Sequence, residues 1–391
     1  MQTTRRKICM LTTAYPRWPG DERAPFIHEA AKALKEAGND VRVLAMHRPG
    51  TKTHEYMDGI EIIRTRYLPE KWEVLQEEGG GIPIVWKKKP LARLAIIPFV
   101  MTQSLALTKW SRDCDIIHAN WTLSGIIAWL TQFIHHHPFV VTVHGSDIYQ
   151  GTRTGWIRWL TKISLSQANA IVAVSNDLAE KVIELGIDGD KMHVIPDGID
   201  IDKFQPEESK KREDMILFVG SLIPRKGCKY LIHAFGSLLR KLPNYQLHFV
   251  GEGPDRPELQ QLVVNMSIKD QVCFHGALSR DDVTRFMSSA KLFVLPSLEE
   301  GLGVVILEAI ASGTPCVASR IGGIPDIITE GTGRLVPPSD PAALDAAMFE
   351  ILSSPEIWKS ISLACRKRAV EVFAWDRIGA QLSELYKECA S

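Results

Sequence analysis

The stretch MILFVGSLIPRKG, residues 215–227, decides the fold. An apolar run from Met215 to Val219 stops at Gly220, the adjacent cations Arg225 and Lys226 follow, and Gly227 precedes a helical pattern that starts near Tyr230. A strand that gives way to a turn and then a helix, with its polar chemistry at the strand's carboxyl end, is the unit of a parallel α/β sheet. Downstream the rhythm continues through strand-like runs at Gln246–Val250, Val272–His275, Leu292–Leu295 and Pro315–Ala318. Upstream the same alternation occupies Lys7–Leu11, Asp40–Ala45, Asp115–His118, Phe139–Val143 and Ala170–Val174, with a helix over Ala24–Ala37 that stops at Gly38. Between the two sets, Pro196–Arg212 is rich in Pro, Asp, Glu and Lys and has no strong period, as an exposed connection does. The fold class is therefore α/β, with two doubly wound, Rossmann-like domains. A chain of 391 residues is long enough for both. Ligands of open parallel sheets bind beyond the strands' carboxyl ends, so two such sheets facing a central cleft place an active site there.

Composition narrows the function. Hydrophobic residues form 45% of the chain and charged residues 24%, which is globular rather than disordered or fibrous. Lys plus Arg and Asp plus Glu both total 46, so nothing global points to nucleic acid. The seven cysteines stand singly, with no CxxC pair, which spells out neither a zinc site nor a disulfide framework and suits a reducing cytoplasm. No run approaches the roughly 18 apolar residues of a membrane span.

Several segments carry chemistry. The turn containing Gly220, Arg225, Lys226 and Gly227 suits a diphosphate, because glycine admits close backbone approach and the cations add charge-assisted bonds. The block PSLEEGLGVVILEA, residues 296–309, turns through Gly301, Leu302 and Gly303 into an apolar helix that holds Glu308. A buried carboxylate needs hydroxyl or cationic partners, met by ribose hydroxyls or by a buried arginine. Glu300 precedes that helix, where an anion also gains from the helix N-terminus. Gly251 and Gly253 follow another strand, but neither glycine pair has the third glycine of a dinucleotide fingerprint. In the first half, His144-Gly145-Ser146-Asp147 ends a strand; His144 suits a sugar contact or proton movement, and Asp147 suits its orientation. His135-His136-His137 reads as an exposed loop. Two Asp-x-Asp patterns, at Asp113–Asp115 and Asp200–Asp202, are badly placed for a metal on donor phosphates, so no metal or other cofactor is expected.

Taken together, these segments closely resemble family 4 of the retaining glycosyltransferases, which have the GT-B arrangement. The resemblance rests on the pair Glu300 and Glu308 within PSLEEGLGVVILEAIASGTPCVAS, the Gly322–Asp326 turn, FVGSLIPRKG, VGEGP, VTVHGSD, VSNDLAEKV and IPDGIDIDKF. It implies an acceptor-side domain over 1–195, a nucleotide-sugar domain over 196–375, and a last helix, 376–391, that crosses back to the first domain. It implies catalytic roles for His144, Glu300, Arg225 and Lys226. Donor binding would fall to Gly220, Arg225, Lys226, Gly251, Gly253, Glu300, Gly301, Leu302, Gly303 and Glu308, and the acceptor side to Gly20 and Asp147. Within these sets Arg225 and Lys226 meet the diphosphate, Glu308 the ribose and Glu300 the donor sugar. The chain departs from the family at Gly20, where paired glycines are usual, and at Asp197, where asparagine is common.

The expected enzyme is thus a metal-independent, retaining hexosyltransferase that moves a sugar from a nucleotide-diphosphate donor to a hydroxyl of a glycan, glycolipid or small molecule. The rival readings are a nucleotide-sugar epimerase and a catalytically silent sugar-nucleotide-binding protein. Lys87-Lys88-Lys89 and Arg93 beside the apolar Leu94–Met101 give residues 87–101 the composition of a peripheral contact with an anionic membrane, at the inner face of the cell membrane.

Overall fold

A computed structural model describes residues 5–21, 23–75, 82, 85, 90–149, 155–207 and 212–390. The chain divides into two compact units, Met1–Pro196 with Asp376–Ser391, and Asp197–Trp375.

The first unit is built on an eight-stranded sheet of β1 (Lys7–Thr12), β2 (Asp40–Met46), β3 (His54–Met57), β4 (Ile60–Thr65), β5 (Ile116–Asn120), β6 (Phe139–Val143), β7 (Ala170–Ala173) and β8 (Met192–Val194), in the order β3-β4-β2-β1-β5-β6-β7-β8. All pairings are parallel except β3 with β4. That hairpin turns at Asp58-Gly59, both with positive φ, the Asp-Gly signature of a tight hairpin. β1, β5, β6 and β7 are buried almost throughout, as central parallel strands covered on both faces must be. Strand order reverses between β1 and β5, so the loops after β1, β5 and β6 surround the switch point where ligands of such sheets bind.

The second unit carries a six-stranded, wholly parallel sheet of β9 (Glu213–Val219), β10 (Gln246–Val250), β11 (Val272–Gly276), β12 (Ala290–Leu295), β13 (Cys316–Ser319) and β14 (Gly333–Val336), ordered β11-β10-β9-β12-β13-β14. Its reversal lies between β9 and β12. The two stretches singled out in sequence, 220–227 and 296–309, follow those two strands: the first is a loop with a short 3₁₀ turn, the second a loop to Gly303 and then a helix.

The last helix, Trp375–Cys389, is amphipathic and returns its apolar face, Ile378, Leu382, Leu385 and Tyr386, to the first unit. Gly379 is held where a Cβ would lie 2.6 Å from the carbonyl of Ala33, and Asn39 Nδ2 donates to Ser383 Oγ at 3.1 Å. Tyr386, fully buried, bonds His118 Nδ1 at 2.6 Å, and His118 Nε2 bonds Thr142 Oγ1 at 2.6 Å. Burial holds the His118 pKa down at about 4, so this chain of bonds runs through a neutral imidazole. Tyr386→Phe would strand one buried nitrogen of His118, at a cost of about 1–3 kcal/mol. Amide hydrogen exchange should rise across Asp376–Cys389 and β5 in that variant while the second unit keeps its protection. Unchanged exchange in the helix would show that the tyrosine does not secure it.

Candidate functional site

In the second unit, two loops meet at the switch point. After β9, a 3₁₀ turn over Pro224–Lys226 ends at Gly227, which opens the helix Cys228–Leu238. After β12, the loop Pro296–Gly303 opens the helix Val304–Ala311. Neither helix has a side-chain cap at its N-terminus, which leaves backbone N–H groups directed into the loops. Leu298 N–H donates to the Arg225 carbonyl at 2.7 Å, and a Cβ on Gly227 would sit 2.1 Å from the Pro296 carbonyl. Behind them Gly322, at φ +50°, lies so close to Glu300 that a Cβ would fall 1.9 Å from its carbonyl oxygen. Only glycine permits both the backbone angle and the approach.

The charged groups sit on this frame. Lys226 Nζ meets Glu300 Oε2 at 2.5 Å, and each side chain is only 13% exposed. Ser297 Oγ donates to the same carboxylate oxygen at 3.3 Å. Arg225 beside them is exposed. Glu308 is buried and meets Arg280 Nη2 at 3.0 Å. Sequence reasoning missed Arg280, whose position at the start of a distant helix, Arg280–Ser289, gives no local signal. Leu302 is buried among the loop's apolar supports, and Gly303, at φ +87°, makes the turn into the helix. Gly220, Gly251 and Gly253 form a backbone layer: Gly220 N–H donates to the Val250 carbonyl at 2.9 Å and Leu222 N–H to the Glu252 carbonyl at 2.9 Å. A Cβ on Gly251 would strike the Gly220 carbonyl at 2.0 Å, and one on Gly253 the Leu222 carbonyl at 2.1 Å. The donor-side residues named from sequence therefore lie on the loops after β9, β10 and β12, except Glu308, which lies in the helix that the last of these loops opens.

In the first unit, His144 follows β6 and its Nε2 donates to Asn120 Oδ1 at 3.2 Å. Trp121 and Phe26 pack on the imidazole with ring centroids 4.9 and 5.1 Å away. Burial and the neighbouring His118 depress the His144 pKa to about 3, so it is neutral at physiological pH. Asp147 lies behind it. Its Oδ1 accepts the N–H groups of Gly145 at 3.0 Å and His144 at 3.3 Å, and its Oδ2 accepts that of Thr122 at 3.1 Å. The carboxylate thus ties the loop after β6 to the start of the helix Thr122–His135. Trp121 has φ 65° and ψ 153°, a combination nearly confined to glycine, and was not anticipated from sequence. Gly20 is exposed in the loop after β1, which closes through bidentate contacts of Arg17 with Asp21 at 2.8 and 2.9 Å. That pair holds the Asp21 carboxyl down at about 2.

Other expectations resolve differently. His135 is not an exposed loop residue: it ends a helix, is buried, and bonds the Ala128 carbonyl at 3.0 Å through Nε2. In the Asp-x-Asp segments, Asp113 pairs with Arg42 at 2.9 Å, Asp115 accepts the Lys7 N–H, and Asp200 accepts the N–H groups of Asp202 and Lys203. Lys87, Lys88 and Lys89 lie outside the described residues.

Comparison with known proteins bears on the family and the fold. The family model "Glycosyltransferase Family 4" matches residues 24–203, and "Glycosyl transferases group 1" matches residues 200–368. The D-inositol 3-phosphate glycosyltransferase of Corynebacterium efficiens is 30% identical over 71% of this chain and 72% of its own length. The MMP alpha-(1->4)-mannosyltransferase of Mycolicibacterium hassiacum is 29% identical over 71% of each chain. Among solved structures, sucrose-phosphate synthase from Thermosynechococcus elongatus superposes with TM-score 0.78 and 24% identity, covering 98% of this chain and 99% of its own. HepE from Anabaena, in complex with UDP-glucose, gives TM-score 0.73 and 19% identity over 98% of this chain and 100% of its own. These structures share the GT-B fold with this chain.

Asp197, the first residue of the second unit, has its pKa raised by burial from 3.8 to about 7. In the folded state it holds a proton that the unfolded chain releases near pH 4. Its contribution to stability is therefore greatest in acid, declines as pH rises from about 4 to 7, and is flat above that. Asp197→Asn removes the titration. Unfolding measured from pH 4 to 8.5 should show the variant gaining on wild type through this window. Parallel stability curves would show that the carboxyl is not buried in the protonated form.

Proposed function

The chain belongs to glycosyltransferase family 4 and is an enzyme of sugar transfer; from that premise we propose a metal-independent, retaining hexosyltransferase that uses a nucleotide-diphosphate sugar. The observation that carries this reading is the pairing of Lys226 with Glu300 at the switch point of the second sheet, with Arg225 and the Glu308–Arg280 pair beside it. A diphosphate fits the cations and the uncapped helix ends. Glu308, paired with Arg280, suits a ribose diol, and Glu300 suits the hydroxyls of the sugar. HepE, solved with UDP-glucose, supports the donor class.

In the proposed front-face reaction, the bond between the anomeric carbon and the diphosphate oxygen breaks as the acceptor oxygen bonds that carbon on the same face. The acceptor proton passes to the departing diphosphate. Products are the glycoside and the free nucleotide diphosphate. Arg225 and Lys226 stabilise the charge that grows on the leaving group. With a pKa near 3, His144 is a poor base at neutral pH and contributes a neutral hydrogen bond to the sugar. A double displacement through a covalent glycosyl-enzyme is the rival mechanism for the same transfer.

Removing Lys226 or Arg225 as alanine should lower kcat by roughly 30- to 1,000-fold, as loss of about 2–4 kcal/mol of leaving-group stabilisation does. Activity should persist in EDTA at temperatures well below unfolding. Glu308→Gln should weaken nucleotide diphosphate binding and raise KM, whereas Glu300→Gln should chiefly lower kcat, because its contact strengthens as positive charge develops on the sugar. Titration calorimetry and steady-state rates measure both. Near-wild-type turnover in both cation variants, or nucleotide affinity lost in Glu300→Gln and kept in Glu308→Gln, would overturn these roles.

We also propose that the first unit rests on an anionic membrane surface. No helix among the described residues is long and apolar enough to cross a membrane. Three neighbouring helices, Ile96–Trp110, Thr122–His135 and Gly155–Gln167, nevertheless expose Ile97, Met101, Leu105, Phe133, Trp156 and Trp159. They carry Lys109, Arg158 and Lys162 and contain no carboxylate. Apolar side chains interleaved with cations alone fit an interface of acidic lipids. Wild type should float with vesicles of acidic phospholipid and not with neutral ones, and Phe133→Ser/Trp159→Ser should float at least fivefold less. Equal flotation of the variant, or none by wild type, would sink the reading.

A further inference from the structure

On the β10–β11 edge of the second sheet, three ligand-bearing side chains converge away from the Lys226–Glu300 pair. The parallel register sets His248 opposite Cys273, and His275, two residues along β11, falls on the same face. Their nitrogen and sulfur atoms all lie within 4.8 Å of one another. His275 Nε2 is 3.0 Å from His248 Nδ1. On its far side, His248 Nε2 donates to Gln246 Oε1 at 3.2 Å, which fixes the tautomer and turns the bare Nδ1 lone pair towards the cluster. That is the outer-shell arrangement that orients metal-binding histidines. Phe286 packs on both imidazoles, with ring centroids 4.8 Å from His275 and 5.9 Å from His248. His248 is buried, Cys273 half-buried and His275 exposed, so the group is walled on one side and open to solvent on the other.

We propose that His248, Cys273 and His275 bind a thiophilic divalent transition metal, zinc above all, with water completing a tetrahedron. Imidazole nitrogen and thiolate are donors that zinc takes, and three protein ligands with water in the fourth position is the pattern of its open sites. Bonds of about 2.0–2.1 Å to nitrogen hold two donors about 3.3 Å apart, so the imidazoles need open only slightly. On binding, the Cys273 thiol loses its proton to solvent, and the proton between the imidazoles moves to Nδ1 of His275. The metal would then staple β11, an edge strand, to β10. Its effect reaches the donor-side loop, because Gly276 follows His275 directly and its carbonyl accepts the Gly251 N–H at 2.8 Å.

Cobalt(II) added to the untagged, chelator-treated full chain is the test. A sulfur-to-cobalt charge-transfer band in the near ultraviolet should saturate at one equivalent, disappear in Cys273→Ser, and yield to zinc. The band is the discriminating signal, since histidines elsewhere on a protein surface bind cobalt without sulfur. A zinc excess of about a hundredfold over Kd should raise the Tm of wild type by about 5–10 °C and leave His275→Ala unmoved. Zinc should also slow alkylation of Cys273 at least tenfold by mass spectrometry, a readout in wild type that does not depend on any variant folding. Absence of the band, its survival in Cys273→Ser, or alkylation indifferent to zinc would overturn the site. None of these readouts involves sugar transfer, so they stand or fall apart from the proposed reaction.

Discussion

The second unit is organised around one contact, the Lys226–Glu300 pair at 2.5 Å. Two charges taken mostly out of water each cost several kcal/mol in lost hydration, which their attraction offsets only if the geometry is held. The backbone holds it. Arg225 accepts the Leu298 N–H, Gly227 presses on Pro296, and Gly322 presses on Glu300, so the loops after β9, β12 and β13 are fixed relative to one another. The cost of arranging the charges is met in folding rather than on binding. A site built this way spends little reorganisation when a substrate charge arrives.

The first unit solves a different problem, the placement of a neutral imidazole. Asp147 uses its carboxylate on backbone N–H groups of the β6 loop and of Thr122. Trp121, between them in the fold, accepts an unfavourable backbone angle that costs on the order of 1–3 kcal/mol. In return its ring meets His144 at 4.9 Å, beside Phe26. The apolar wall keeps His144 uncharged, which suits hydrogen bonding to a hydroxyl-rich ligand and not proton storage. Strain, carboxylate and aromatic wall serve the orientation of one ring.

Much of this was legible in the sequence. Central strands such as Phe139–Val143 and the run Met215–Val219 stand out because burial on both faces demands nearly unbroken apolar runs. The hairpin of β3 and β4 went unread although Asp58-Gly59 marks its turn, because its strands mix charged and apolar residues at the sheet edge. The partners of the glutamates were less accessible. Glu308 in an apolar helix signals a need for a partner, but Arg280 is supplied by a different helix, and only the folded sheet brings them together. The His248, Cys273 and His275 cluster hides for the same reason. Metal motifs are recognised by spacing along one segment, whereas register between neighbouring strands makes this one.

The balance of charge at the donor-side loops bears on how a transferase of this kind separates substrate from transition state. Of Arg225, Lys226, Arg280, Glu300 and Glu308, four are already paired. Little unpaired positive charge is left to draw in an entering diphosphate. As the sugar bond breaks, negative charge on the leaving diphosphate increases while positive charge develops at the anomeric carbon. In the proposed reaction a growing phosphate charge would draw Lys226 away from Glu300, and the carboxylate so released would face a growing positive centre. Each half of the pair would then gain a better partner at the transition state than it has in the resting enzyme. Binding that strengthens only along the reaction coordinate raises kcat, whereas a site of unpaired cations would hold the donor tightly from the outset and waste that difference.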